Sequence, residues 1–321
     1  MPQTAPSYFT GPIFVGFELN WLLLGLLLVQ VYYFYSAFPD ERWGIKALVF
    51  TLLVIELVQT ALGSIAVYDM LVRNWGNPKA FTEVMWAAYV QPFTVGLSST
   101  IVQMFFVWRI HKLKGEEVIV RLICVLIAII SLGQGLTAMV STIRFATQAA
   151  GVSALQGASG LLGTKIWLGG AVACDVLIAV TMISILSRAR QSLPWAKADS
   201  VITKLIIHCV ESGAITTAVA TVQLALFLSR PENFMHEAPL YVLGKLYSNV
   251  VLATLNWRAE RKRHIFSDSS NPSTSLSTPR QQQSFGLRHL PGDRTKAVVV
   301  ETVLDPRQSD FEQKRFDFEH V

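Results

Sequence analysis

Residues 13–36 read IFVGFELNWLLLGLLLVQVYYFYS, and this stretch decides the fold. It carries a single charge, Glu18. As a helix rising about 1.5 Å per residue it outreaches the roughly 30 Å of bilayer hydrocarbon. No Lys or Arg precedes it and no small-residue cleavage site follows, so it reads as a retained span and not a signal peptide.

Six further stretches share that character: 47–69, 84–108, 119–142, 165–187, 203–228 and 238–257. Loop chemistry separates them. Phe38-Pro39-Asp40-Glu41 closes the first, Asn74-Trp75-Gly76-Asn77-Pro78 follows the second, and His111-Lys112-Leu113-Lys114-Gly115 divides the third from the fourth. A Gly-, Ser- and Ala-rich run from Gly151 to Gly163 follows, then Ser192-Leu193-Pro194 and Arg230-Pro231-Glu232-Asn233. Only Gln91-Pro92 is expected to break a span.

Composition agrees. Hydrophobic residues make up 52% of the 321, charged residues 15%, and mean hydropathy is +0.42. Soluble domains carry about 25% charge, which this chain could not supply to cover a surface. The fold expected is all-α: an integral-membrane bundle of seven transmembrane helices over residues 13–257. A short outer N-terminus, 1–12, precedes it and a polar tail, 258–321, follows. The sequence pI near 9.1 comes from basic residues at loop edges and not from one basic face, which argues against nucleic acid as a partner.

Those loop edges orient the bundle. Arg42, Lys46, Arg109, Lys112, Lys114, Arg121, Arg188, Arg190, Lys197, Lys204, Arg258, Arg261, Lys262 and Arg263 fall on one side. Only Arg73, Lys79, Arg144, Lys165 and Arg230 fall on the other. The positive-inside rule then puts the N-terminus outside and the tail in the cytosol. Tyr32, Tyr33, Tyr35, Trp43, Trp108, Tyr241 and Trp257 stand near span ends, where aromatic anchors belong.

Arg258, Arg261, Lys262 and Arg263 form a juxtamembrane basic cluster suited to anionic inner-leaflet lipid, although a stop-transfer flank explains it completely and is the preferred reading. Residues 265–321 are rich in Ser, Thr, Pro and Gln, a composition that reads as disordered and open to phosphorylation. Within them Ala297–Leu304 has strand propensity and reads equally as a segment that pairs with a cytosolic partner's sheet edge or as an unused apolar patch. Cys124, Cys174 and Cys209 all lie in apolar runs, and no Cys or His pair has ligand spacing, so neither a disulfide, a metal nor a cofactor is expected.

Function has to come from groups that do not belong in lipid. Glu18, Glu56, Asp175, Glu211 and Lys245 are the charges within spans. Tyr241, Lys245, Asn249 and Asn256 recur at helical spacing on the seventh span, His208 shares a face with Glu211, and Glu56 shares one with Gln59 and Thr60. Ser131, Gln134, Thr137 and Ser141 line a face of the fourth. These residues make a polar interior and a candidate intramembrane site. In one reading Lys245 pairs with Glu56 or Asp175 and the amides hold helices together. In a second, Lys245 and a midplane carboxylate bind a ligand arriving from outside. In a third, the carboxylates relay protons or ions. The motifs of animal G-protein-coupled receptors are absent, no Asp precedes Lys245 by one turn as in microbial rhodopsins, and no loop carries an Asp-rich diphosphate site. An enzyme is therefore not expected.

The chain also resembles the fungal, mainly basidiomycete, seven-pass membrane proteins grouped as domain of unknown function 6534. The resemblance runs through most of residues 14–258. It is carried by Gln30-Val31-Tyr32-Tyr33-Phe34-Tyr35, Phe38-Pro39-Asp40, Asn74-Trp75-Gly76-Asn77-Pro78, Trp108-Arg109-Ile110 and Asp175. Above all it is carried by Gly244-Lys245-Leu246-Tyr247-Ser248-Asn249 and Leu255-Asn256-Trp257-Arg258. It implies seven helices and an outside N-terminus, and it transfers no activity and no site residue. The expected function is receptor-like or sensor-like, with an outward-facing pocket near Lys245. Small-solute or proton-coupled transport through Glu56, Asp175 and Glu211 is the alternative, and a ligand-free structural membrane component is the third.

Overall fold

Hydrocarbon offers a backbone no hydrogen-bond partner, so a segment crossing it must satisfy its own amides, and a helix does so locally. In the computed structural model the described residues are 7–77, 90–148, 158–191, 196–229 and 234–269. Their side chains are described except at 7–9, 145–148, 158–161, 190–191, 196–212, 234 and 260–269. Seven long helices occupy these residues: α1 (Ser7–Ala37), α2 (Trp43–Tyr68), α3 (Val90–Lys114), α4 (Val118–Gln148), α5 (Ala158–Gln191), α6 (Ala196–Ser229) and α7 (Glu237–Ser269). Six are long and apolar enough to cross a membrane, and the described side chains of α6 add an apolar stretch over Gly213–Ser229.

The connections follow from local chemistry. Past Tyr68 the helix widens into a π turn, Asp69–Arg73, closed by Asn74, whose Nδ2 donates to the Asp69 carbonyl at 3.1 Å and to its carboxylate at 3.0 Å. Gly76 then takes φ +79°, a left-handed conformation that favours glycine. Between α3 and α4 the amide of Gly115 donates back to the His111 carbonyl at 2.8 Å. Beside it Lys114 pairs with Glu117 at 2.8 Å and holds that exposed carboxyl below its ordinary range. The expected break at Gln91-Pro92 is not seen within the described part of α3, which runs unbroken from Val90 to Lys114.

Sequence neighbours pack on one another: α1 on α2, α2 on α3, α3 on α4, α4 on α5 and α5 on α6, with α3 also against α5. Small residues let the backbones close. A Cβ on Gly16 would stand 2.6 Å from Cα of Ala238, where α1 crosses α7. One on Gly96 would stand 2.6 Å from Cβ of Ala138, where α3 crosses α4. Such contacts drive helix association in lipid, where burying apolar surface brings no gain.

α7 is the helix the others enclose. Of its most apolar window 67% is buried, against 33% for α1, α2 and α4. Leu243, Tyr247, Val251, Leu252 and Leu255 join Phe34, Leu52, Val102 and Leu168 in the largest apolar cluster. Outward, Leu22, Val29, Leu122, Ile129 and Leu136 are exposed, the inside-out pattern of a chain that meets lipid. Tyr32 and Trp43 stand exposed, as anchors should, whereas Tyr241 is buried against Phe17, their rings edge-on at 5.6 Å. Tyr241 is therefore a packing residue and not a belt residue. The described residues through Ala259 form one compact unit.

Candidate functional site

Lys245 enters the bundle on α7, where a primary ammonium needs three acceptors. It finds three on α2. Its Nζ donates to Glu56 Oε2 at 2.6 Å, to the Glu56 carbonyl at 3.1 Å and to Gln59 Oε1 at 3.0 Å. Glu56 Oε1 in turn accepts from Ser98 Oγ of α3 at 3.1 Å and from Ser248 Oγ of α7 at 2.7 Å. Lys245, Glu56, Ser98 and Ser248 are all 0% exposed. The charges cancel and every ammonium proton is engaged, so this knot fastens α2, α3 and α7 and leaves neither the ammonium nor a Glu56 carboxylate oxygen without a partner.

Asp175 is placed differently. It sits midway along the Leu162–Ala189 span of α5, with its Oδ1 accepting from Gln103 Nε2 of α3 at 3.1 Å and its Oδ2 from the Tyr247 hydroxyl of α7 at 2.7 Å. Gln103 Oε1 accepts from Gln134 Nε2 of α4 at 3.1 Å, and that same nitrogen approaches Ser99 Oγ at 3.3 Å. A polar relay therefore runs from α4 through α3 to α5 and α7. Among the residues whose side chains are described, no Lys, Arg or His lies within ion-pair distance of Asp175. Asp175, Gln103 and Tyr247 share the wall of a cavity of about 40 Å³ with Phe106, Met182 and Thr216. That volume suits roughly three waters or a small ion. Lys245 does not line it.

The remaining predicted residues divide by neighbour. Asn249 Nδ2 donates to the Leu23 carbonyl at 3.1 Å while its Oδ1 accepts from Gln30 Nε2 at 3.2 Å, and Asn256 Nδ2 donates to the Gln30 carbonyl at 2.9 Å. Both bind α7 to α1. Arg258, expected to face lipid with Arg261, Lys262 and Arg263, donates to Glu41 at 2.8 Å and lies 5.0 Å over the Phe38 ring. Glu18 stands on the exposed face of α1, outside the polar interior. His208 and Glu211, with Cys209 and the three other basic residues, lie outside the residues whose side chains are described, and the tail beyond Ser269 lies outside the described residues altogether.

Sequence reasoning missed the partners more than the charges. Tyr247 is two residues from Lys245 and so falls off the predicted α7 stripe, yet it reaches Asp175 because α7 is enclosed on several sides. Gln103, a lone amide between Val102 and Met104, was the available signal: an amide in an apolar span needs a buried partner.

Residues 171–260 match a family of unknown function, DUF6534. The similarity covers Asp175, Lys245, Tyr247, Ser248, Asn249 and Asn256, and leaves Glu56, Ser98 and Gln103 outside it. No curated protein and no solved structure matches the chain.

Proposed function

We propose that this chain is a receptor-like, seven-pass membrane protein whose ligand enters the Asp175 cavity between α3, α5, α6 and α7. The observation that carries this reading is the contrast between two buried carboxylates. Glu56 is matched by Lys245 at 2.6 Å, whereas Asp175 meets only neutral donors and faces open space. Holding an Asp at mid-membrane costs about 2.5–3.5 kcal/mol even on insertion scales, and a cost of that kind is usually retained where the group has work to do. The closed Lys245 knot supports moving the site from Lys245 to Asp175. The basic loop edges support an outer N-terminus and a cytosolic tail, and in that orientation Arg261, Lys262 and Arg263 would meet the anionic inner leaflet.

The test is a thermal-shift screen of the purified wild type, Asp175→Asn and Lys245→Ala against a small-metabolite library. A stabilising compound whose effect disappears in Asp175→Asn and persists in Lys245→Ala supports the cavity. One lost only in Lys245→Ala returns the site to that residue. A second reading, transport, draws on the mid-span depth of Asp175, where a carboxylate could pass an ion between the two sides. Uptake into proteoliposomes that Asp175→Asn abolishes would favour it over a receptor.

A further inference from the structure

Among the residues whose side chains are described, two carboxylates, Glu56 and Asp175, are buried in the bundle, and the ammonium of Lys245 neutralises one of them. A carboxylate has about four lone-pair positions, and the described partners of Asp175 occupy one on each oxygen. Both partners, the Gln103 amide and the Tyr247 hydroxyl, are neutral, so they orient the group without balancing its charge. The remaining lone pairs belong to a side chain that lines a cavity with the hydroxyl-bearing Thr216 and otherwise largely apolar walls, among them Phe106 and Met182. One uncompensated negative charge asks for one positive charge. A divalent ion would leave one positive charge unmatched inside the bundle, where an unpaired charge is costly. A volume of about 40 Å³ excludes a bulky amine.

We infer that the Asp175 cavity binds a small monovalent cation, either an alkali-metal ion or a small ammonium, through the Asp175 carboxylate and the oxygens around it. This names the ligand class for the cavity proposed above and rests on that reading. The cation would replace the missing counter-charge, just as Lys245 supplies it to Glu56.

The experiment uses the purified full chain in detergent, with N-methylglucamine chloride as the bulk salt because that cation is too large to enter. Sodium, potassium, ammonium or methylammonium chloride replaces it at constant ionic strength while thermal unfolding is followed. The expected result is a saturable rise in Tm of about 5 °C with at least one of these cations. A response to sodium or potassium assigns an alkali-metal site, and a response to ammonium or methylammonium alone assigns an ammonium site. Asp175→Asn, which keeps the shape and loses the charge, should abolish the rise, while the double variant Glu56→Gln/Lys245→Met should keep it. No saturable rise in the wild type overturns the inference without reference to any variant. So does an equal rise in Asp175→Asn, which would be a bulk salt effect. A pH-dependent stabilisation lost in Asp175→Asn, without any cation response, gives the charge to a proton and also overturns it. If an uncharged library compound stabilises the wild type through Asp175 while no cation does, the cation assignment falls and the cavity reading stands. If nothing binds, both fall.

Discussion

Lys245 and Asp175 show how two buried ionisable residues reach different ends. A buried ion pair is strongly destabilised when one partner is removed, because the other charge stays behind without its match. Lys245→Ala should therefore lower stability by about 3–5 kcal/mol in chemical denaturation, since Glu56 keeps Ser98 and Ser248 but loses its counter-charge. Glu56→Gln with Lys245→Met should recover most of that loss, because no lone charge remains. A double variant as unstable as Lys245→Ala would show that the pair contributes more than charge balance. Asp175→Asn should behave in the opposite sense. In the absence of ligand it should raise stability in chemical denaturation, by no more than the roughly 2.5–3.5 kcal/mol that an Asp costs at the centre of a span. Tyr247 and Gln103 can still bond the Asn, so the neighbourhood need not rearrange.

Between helices, close approach should matter more than single amide bonds. Gly16→Leu would drive a side chain into the Ala238 backbone, already 2.6 Å from where its Cβ would stand. It should cost at least the roughly 1–3 kcal/mol typical of overpacking, and thermal unfolding of the purified protein measures it. Asn256→Ala removes one bond from α7 to the Gln30 carbonyl of α1 and should cost only about 0.6 kcal/mol, the average for polar contacts within membranes. Finding the two variants equally destabilised would contradict small-residue packing as the main α1–α7 fastening. Sequence periodicity located these helices well, since apolar length against bilayer thickness is a one-dimensional property. It treated α7 as having a single polar face, and that failed because Leu23, Gln30, Glu56, Gln59 and Asp175 approach α7 from different sides.

For the whole molecule, the proposed seven-pass topology requires the termini to lie on opposite faces of the membrane. Epitope tags in intact cells should be reached by antibody at the N-terminus and, only after permeabilisation, at the C-terminus. Both tags accessible on one side would refute the odd span count. The sequence alone determined the membrane setting, the helical class and the presence of Glu56, Asp175 and Lys245 within apolar helices, because apolar length and the rarity of charge in hydrocarbon need no knowledge of neighbours, but it did not separate them from Glu18, which stands on the exposed face of α1. It left Lys245 with two carboxylates to choose between. Only the tertiary structure decided that Glu56 takes the ammonium and that Asp175 is left with Tyr247, Gln103 and a cavity. The physical reason is that pairing depends on the rotation and depth at which separate helices meet. Those are set by close crossings such as Gly16 on Ala238 and Gly96 on Ala138, between residues far apart in the chain.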